Sequence, residues 1–485
     1  MPTKILKETS FIYKHYFTDC VNSTIDECKF PNKLKKADIR PCSKNKGEKL
    51  KKSNYRPLSV LPALSKVLER ILGKQLDSFM QTKFSPYLCG FRKGYSTQHA
   101  ILKLLENWRA HLDKGENVGT ILCDLSKAFD TLPHDLLIAK LNAYGVGQNA
   151  LHLINDYLSE REQRCKVGSK YSTWRTIIKG VPQGSVLGPL LFNIFINDLF
   201  LFINDCELCN FADDQTLYTY HKVIDVVVNK LEKDLTNAIN WFDTNGLVAN
   251  PNKFQVMFLG TRSKSKLCLN INGMQTAAMH SVKLLGLNID WKLTFTNHVM
   301  SLSNKANGKA RALSRLRFKL NIEQKTLLYN SFISSYFGYC PITWMFCGKS
   351  ANLKAEQVKK RALRAIYNDY SSSYTDLLEM GDHQSIHRRN LNYLLYEVYK
   401  SIHGMVPEFM SNIFTRKLVY YELRISNLLV LPKYKTYGLK SFGYRGALCW
   451  NNLHDELKQC INIDTFKMAI GSLKSIYCTC DICSK

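Results

Sequence analysis

Apolar residues recur along the chain with a period that changes from segment to segment, and the changes mark the elements. Over 65–79, SKVLERILGKQLDSF, the residues Val67, Leu68, Ile71, Leu72, Leu76 and Phe79 return at helical spacing, with Ser65 a candidate cap. Over 97–112, Ala100, Ile101, Leu104, Leu105, Trp108 and Leu112 do the same, and Gly115 ends that helix. GTILCDL at 119–125 reads as a short buried strand. Helical periodicity resumes from about residue 134, and QRCKVGSKYSTWRTIIKG at 163–180 looks like a hairpin. The turn GVPQGS then leads into an apolar helix near 188–200. ELCNFADDQTLYTY at 207–220 is a second hairpin with Asp213 and Asp214 at its tip. Residues 221–246 form an amphipathic helix stopped by Gly246, and KFQVMFLG at 253–260 is a strand.

With the insertion between the first strand and GVPQGS set aside, the order is strand, helix, hairpin, helix, strand. That is the order of a split βαβ sheet, in which the first strand lies beside the hairpin at the centre. Asp124, ending the first strand, then faces Asp213 and Asp214. Beyond residue 290 the pattern becomes basic and helical. SLSNKANGKARALSRLRFKL at 301–320 carries six basic residues and no acidic one, and Arg311, Arg315 and Lys319 are spaced to share a face. A second basic helix is expected near 352–367, and the last hundred residues mix helical with turn-rich stretches. Residues 1–56, rich in lysine clusters, read as an exposed arm or loop. There is no internal repeat and no clear linker.

Composition narrows the function. Lys and Arg outnumber Asp and Glu by 67 to 40, a net charge of +27, which suits a polyanionic partner: nucleic acid before anionic membrane. The most apolar stretch, 186–203, is interrupted by Pro189, Asn193, Asn197 and Asp198, which favours a buried helix over a membrane span. MPTKILKETS lacks the apolar core of a signal peptide, so an intracellular location is expected, with nucleus and cytoplasm left open. The 16 cysteines are scattered and read as reduced thiols. The tail CTCDIC, with Cys478, Cys480 and Cys483, has zinc-ligand chemistry, but no partner Cys or His at standard spacing completes it. Disordered, reduced cysteines are the expectation there.

Adjacent aspartates in a turn are ordinarily turn chemistry. Here the constellation matters: a strand-ending Asp, a turn bearing Gln and Gly, and an Asp-Asp hairpin in an order that brings them together. Three carboxylates around one point raise one another's pKa unless a cation sits between them. Mg²⁺ answers this need through carboxylates and substrate phosphates, and two such ions can clamp an in-line phosphoryl displacement.

At these residues the chain resembles the reverse transcriptases of non-LTR (LINE-type) retrotransposons, most closely the Jockey-like branch. The matching stretches are NYRPLSVLPALSKVLERI (54–71), CGFRKGYSTQHAIL (89–102), CDLSKAFDTLPHDLL (123–137), GVPQGSVLGPLLFNIFINDL (180–199), FADD (211–214), NPNK (250–253) and KLLGLNID (283–290). The stretch LKSFGYRGALCWNNLHDEL is similar to the family's C-terminal region. The resemblance implies an α+β right-hand polymerase. Its fingers would be residues 1–118 plus part of 140–180, its palm with the split βαβ antiparallel sheet 119–290, and its helical thumb 291–370. A mostly helical, nucleic-acid-binding region would fill 371–485.

The resemblance also implies roles. Asp124 and Asp213 would hold two Mg²⁺ ions (Mn²⁺ substituting), with Asp214 assisting and the Leu125 carbonyl a further ligand. Phe129 matches the aromatic gate that leaves no room for a 2′-OH. Gln183 and Gly184 would meet the incoming nucleotide, and Arg56 and Arg92 its triphosphate. Lys253 is similar to the lysine serving the leaving pyrophosphate, with an exposed strand-end lysine as its bland alternative. Gly286 and Leu287 would support the primer end, and Lys305, Lys309, Arg311, Arg315 and Lys319 the template–primer duplex. The implied partners are an RNA template, a DNA primer and dNTPs, with no membrane and with other element-encoded proteins possible.

Three positions depart from the family pattern: Gln215 where Thr is usual, Cys89 where an aromatic is usual, and Phe254 where a small polar residue is common. None removes a catalytic group, and Gln215 is expected to affect hairpin packing. No endonuclease segment precedes the polymerase motifs and no RNase H carboxylate set follows them, which reads as the polymerase part of a longer element protein or one that has lost its 5′ end. Two alternatives remain: a catalytically silent nucleic-acid-binding remnant, disfavoured by the intact acids, and an RNA-dependent RNA polymerase, disfavoured by Phe129 and Ala212.

Overall fold

The computed structural model describes residues 3–45, 47–260, 267–271, 273–417, 428–473 and 475–483. Lys46 of the basic N-terminal stretch and residues 418–427 of the C-terminal region lie outside the described residues. The chain forms two compact units. One comprises Met1–Phe91, Cys123–Thr216 and Lys233–Phe254; the other comprises Arg92–Leu122, Leu217–Glu232 and Gln255–Lys485.

In chain order the first strands are β1 (Lys36–Ser43), β2 (Tyr55–Val60), β3 (Asn117–Ser126), β4 (Glu162–Val167), β5 (Lys170–Tyr171) and β6 (Arg175–Thr176). They are followed by β7 (Glu207–Phe211), β8 (Asp214–His221), β9 (Val248–Ala249), β10 (Gln255–Leu259), β11 (Cys268–Ile271), β12 (Met274–Ala277), β13 (Ser281–Leu284) and β14 (Leu287–Asp290). One sheet has the order β10-β3-β8-β7, with β9 pairing the far end of β3. This is the split βαβ order read from the chain: β3, then the helix Leu187–Ile196, the β7–β8 hairpin, the helix Ile224–Thr244 and β10. The hairpin meets β3 through β8, while β7 is the edge strand rather than a central one.

In the first unit, residues 1–56 are not a loose arm. Ser10–Asp26 is a helix, and β1 pairs antiparallel with β2 and parallel with β4 in a second sheet. The lysine clusters obscured this because the strand turns most of its residues to solvent, while its approach is anchored from inside. Lys35 is buried, with Nζ 3.0 Å from Asp156. The helix Ala63–Met80 starts earlier than its apolar pattern, and Ser65 is an interior residue rather than its cap. Its hydroxyl donates to Glu69 Oε1 at 2.9 Å. The buried Glu69 carboxylate in turn accepts from Val186 N and Leu187 N at 2.7 and 3.2 Å, which satisfies donors left open at the start of the next helix. The turn 180–185 is thus tied to the core at its exit.

In the second unit, the helix Thr97–Asp113 organises the C-terminal region. Asp113 accepts backbone hydrogen bonds from residues 435–438, and Glu106 from Phe442 N and Gly443 N. The expected basic helices are present as Thr296–Arg315 and Lys349–Tyr367, packed on each other. The first is shorter than the basic pattern: it ends at Arg315, so Lys319 lies beyond it and does not share its face. Among the described residues of 374–472, helices and turn-rich stretches alternate, as expected. Among the described residues no helix is long and apolar enough to cross a membrane.

Gly119 in β3 marks a close approach. A Cβ there would stand 2.6 Å from both Leu231 Cδ1 and Val227 Cγ1 of the helix Ile224–Thr244. Gly119→Val is therefore expected to destabilise the fold by about 1–3 kcal/mol, read as a lowered midpoint in thermal unfolding followed by circular dichroism.

Candidate active site

The acids Asp124, Asp213 and Asp214, with Lys253, Phe129, Gln183 and their supporting side chains, belong to the first unit. Asp124 sits near the end of β3, half-buried, where the strand leaves its long pairings. β9 holds this end: Leu125 pairs with Ala249, and Asn250 N donates to the Asp124 carbonyl at 3.2 Å. The chain after β9 then delivers Lys253, whose Nζ lies 2.7 Å from Asp124 Oδ2. The lysine thus meets the first carboxylate in a solvent-exposed ion pair.

Asp213 and Asp214 occupy the turn of the β7–β8 hairpin, whose loop is only Ala212 and Asp213. Ala212 has φ +58, a left-handed conformation that a side-chain-bearing residue adopts only when its surroundings impose it. The surroundings are visible. Asn210 Nδ2 donates to the Ala212 carbonyl at 3.1 Å, and Gln215 Nε2 donates to the Asp213 carbonyl at 3.3 Å. Residues 88–90 press from the side: Cys89 N donates to the Asn210 carbonyl at 2.8 Å, and a Cβ on Gly90 would reach within 2.2 Å of Ala212 N. Gln215 thus packs the hairpin, 1% exposed, as its departure from the family pattern suggested. Asn210 and Gly90 were not singled out from sequence; the small residue beside FADD in space has no signal along the chain. Asp213 is exposed and Asp214 half-buried. Burial first, then the charges of Asp213 and Asp124, push the Asp214 carboxyl up to about 6. The acids do converge electrostatically, and Lys253 offsets only one of them.

A second cluster lies just downstream of Asp124. Lys127, at φ +53, turns the chain into a short helix, Ala128–Thr131. Phe129 stacks on Phe192 at 4.6 Å between ring centroids and meets Phe91 edge-on at 5.9 Å. Its carbonyl accepts from Val181 N at 2.8 Å, which ties it to the turn carrying Gln183. Gln183 Nε2 donates to Asp130 Oδ1 at 2.9 Å, and its carbonyl accepts from Ser59 N of β2 at 2.8 Å. Gly184, at φ +118, lies so close to Ser59 that a Cβ would come within 2.8 Å of its carbonyl oxygen. Asp130, which orients Gln183, was missed in the sequence because a carboxylate one residue after an aromatic carries no pattern. Arg56 is an exposed residue on β2, three positions from Ser59.

The remaining expected residues belong to the second unit. The Arg92 guanidinium lies 4.4 Å from the centroid of the Tyr95 ring. Leu285 and Gly286 form the two-residue turn of the β13–β14 hairpin, both with positive φ, the geometry of a tight primed turn. Tyr339 Oη donates to the Leu285 carbonyl at 2.6 Å and holds that turn. Gly286 is exposed, whereas the Leu287 side chain is fully buried, so only its backbone is available at the surface. Lys305, Lys309, Arg311 and Arg315 are all exposed, on the flanks opposite the buried stripe Val299, Ala306, Ala310 and Leu313. Lys319 is exposed in the turn that follows.

The donor set of the acid cluster, three hard carboxylates with excess negative charge, fits a hard divalent cation. Comparison with known proteins bears on the same residues. The model of the family described as reverse transcriptase (RNA-dependent DNA polymerase) matches residues 42–289. The chain is 28% identical over 360 residues to a probable RNA-directed DNA polymerase from transposon BS of Drosophila melanogaster, covering 70% of this chain and 39% of that protein. It is 28% identical over 357 residues to the RNA-directed DNA polymerase from mobile element jockey of the same species, covering 71% and 39%. The alignments thus span well under half the length of these curated relatives. A solved telomerase from Candida tropicalis, in complex with a fragment of telomeric RNA, aligns over 92% of this chain and 65% of its own at 11% identity. Its TM-score is 0.41.

The displaced Asp214 pKa has a consequence for stability. Its carboxyl protonates near 6 in the folded chain against 3.8 in the reference state, so the folded state holds the extra proton between these values. Stability from this group is complete below pH 3.8 and is lost as the pH rises through about 6. Asp214→Asn is expected to match the wild type at the acid end. Above the transition, in EDTA, it should be the more stable by about 1–2 kcal/mol, the discount reflecting partial exposure. Thermal melts across pH check this, and added Mg²⁺ should narrow the gap.

Proposed function

Since the chain belongs to the reverse transcriptase family, we propose that it is the RNA-directed DNA polymerase of a non-LTR, Jockey-like retrotransposon, extending a primer 3′-OH on an RNA template. The observation that carries this reading is the placing of Asp124 at the end of β3 and of Asp213 and Asp214 at the tip of the β7–β8 hairpin in the same sheet, with burial first and the other two charges second raising the Asp214 carboxyl. The family works with divalent metal ions. We assign two Mg²⁺ ions to this site, replaceable by Mn²⁺ and held by Asp124, Asp213, Asp214 and the Leu125 carbonyl. When bound they supply the positive charge that favours in-line attack of the 3′-OH on the α-phosphate.

The chain's own residues do the rest. Phe129, locked by Phe192 and Phe91, is the rigid wall against the sugar that excludes a 2′-OH. Gln183 and Gly184, fixed by Asp130 and Ser59, form the floor beneath the incoming base. Arg56 and Arg92 hold the triphosphate, as guanidinium forks suit phosphate oxygens. Lys253 rests on Asp124 and becomes available to the leaving pyrophosphate once that carboxylate has another counter-ion. The tight turn at Leu285–Gly286 supports the primer end through backbone groups, with Leu287 as its buried anchor. Lys305, Lys309, Arg311, Arg315 and Lys319 grip the duplex backbone, a contact that needs no base reading. In this reading the fingers are residues 1–118 with part of 140–180, the palm 119–290, the thumb 291–370, and 371–485 a further nucleic-acid-binding region.

Primer extension tests the proposal. The purified chain, an RNA template with an annealed DNA primer, Mg²⁺ and dNTPs should yield extended primer. Asp213→Asn should lower the rate by about 10²–10³-fold or more while leaving duplex binding intact. Tight binding with no extension by the wild type under either metal would sink the enzymatic reading in favour of a silent nucleic-acid-binding remnant. Phe129→Ala is expected to keep dNTP incorporation but to lower discrimination against ribonucleotides, in kcat/KM, by about 10–200-fold.

A further inference from the structure

The C-terminal tail does not behave as a set of unconnected thiols. Cys478, Cys480 and Cys483 bring their sulfurs together with the imidazole of His387, and the four ligand atoms lie within 4.8 Å of one another. His387 Nε2 is 3.4 Å from Cys480 Sγ and 3.9 Å from Cys478 Sγ. A tetrahedral zinc with ordinary bond lengths sets its sulfurs about 3.8 Å apart and its sulfur–nitrogen pairs about 3.6 Å apart. The two sulfur–nitrogen separations, 3.4 and 3.9 Å, bracket the second value, and the sulfurs fall within the same 4.8 Å cluster. We propose that His387, Cys478, Cys480 and Cys483 form a structural Zn²⁺ site that fastens the chain's tail to the helices of the second unit.

The surroundings fit this assignment. His387 is the second residue of the helix Ile386–Ile402 and is only 6% exposed. Its backbone N–H donates to Glu356 Oε1 at 3.1 Å, and Phe346 meets its ring edge-on, so the imidazole is held before any ion arrives. Nδ1 is buried without a hydrogen-bond partner. The other ring nitrogen, Nε2, faces the sulfurs of Cys480 and Cys478. Cys480 and Cys483 have the C-x-x-C spacing of a zinc knuckle, closed by a turn in which Cys483 N donates to the Cys480 carbonyl at 2.9 Å.

Residues 475–483 contribute no helix or strand, and little of them is buried. Their polar anchors are Arg445 Nη1 to Thr479 Oγ1 at 3.0 Å and Lys440 to Asp481 at 3.5 Å, the latter an exposed ion pair of small worth. Ordering such a segment costs backbone entropy at every residue. Neutral thiols packed against an imidazole return little of it, whereas metal binding is itself folding free energy. Three thiolates, an imidazole and Zn²⁺ carry a net negative charge, and two cations already contact the tail, Arg445 at Thr479 and Lys440 at Asp481. Cys449 of the buried helix Phe442–Asn451 is assigned as a neighbour of the site, outside the ligand set.

The full chain, purified without an affinity tag that binds metal, should contain about one zinc per molecule by elemental analysis. Replacing the zinc with Co²⁺ should give the visible bands of a tetrahedral thiolate site. Cys483→Ser, a change at an exposed position that the fold should tolerate, is expected to lose most of the zinc and to lower the melting midpoint; His387→Ala should do the same. Cys42→Ser, an exposed thiol of the other unit, and Cys449→Ser should keep it. The proposal fails if the folded wild type carries no zinc and takes up no Co²⁺, if its tail thiols prove to be joined as disulfides, or if Cys483→Ser and His387→Ala keep the full content. These measurements read metal directly. A chain that fails to extend a primer but holds its zinc would leave this site standing, and the converse would leave the polymerase standing.

Discussion

Like charge is the constraint around which the first unit is built. Two carboxylates at a hairpin tip and a third at a strand end repel one another, and partial burial makes the repulsion more expensive. The chain accepts that cost and spends structure on keeping the groups in place. Asn210, Gln215 and the backbone of residues 88–90 hold the tip in a conformation that Ala212 would otherwise avoid. β9 and Lys253 hold the opposing carboxylate. A site assembled this way is poised for cations: its own lysine offsets one charge and the remainder waits for a ligand. The reverse transcriptase family, to which the chain belongs, uses divalent metal for that purpose.

Elsewhere the fold uses carboxylates in a different way. Glu69, Asp113, Glu106 and Asp234 each accept two or more backbone N–H groups from a turn or a helix start. Each satisfies donors of a turn or helix start that have no partner within their own element. These residues explain why turns bearing functional groups have one shape. The Gln183 turn is tied at its exit by Glu69, and its side chain is aimed by Asp130. The functional residues that sequence reading missed, Asp130, Asn210 and Gly90, belong to this supporting layer. Their importance comes from a neighbour in space.

The proposed zinc site would extend the same logic to the second unit. Its tail has too little apolar surface to fold by burial, so a set of ligands would take the place of a core. The chain would then use metal in two distinct ways: hard oxygen donors that share their ions with substrate, and soft sulfur donors that close around one permanently.

Local pattern alone determined the elements of the central sheet. The helices Ala63–Met80, Thr97–Asp113 and Ile224–Thr244, the hairpin bearing Asp213 and Asp214, and the strand ending near Asp124 were legible because each has a single periodicity and a clear stop. Element order then gave the split βαβ arrangement, since few topologies accommodate that order. Three features were settled only in three dimensions. The lysine-rich N-terminal region became β1 and β2 through pairing with β4, more than a hundred residues away, and no local signal announces such a pairing. Lys319 fell outside its helix because the C-cap at Leu316 came before the basic pattern ended. Finally, Cys478 and Cys480 met a histidine 91 and 93 residues upstream, outside any standard ligand spacing. Periodicity reports which face of an element is buried, but only packing decides which distant residue lies opposite it.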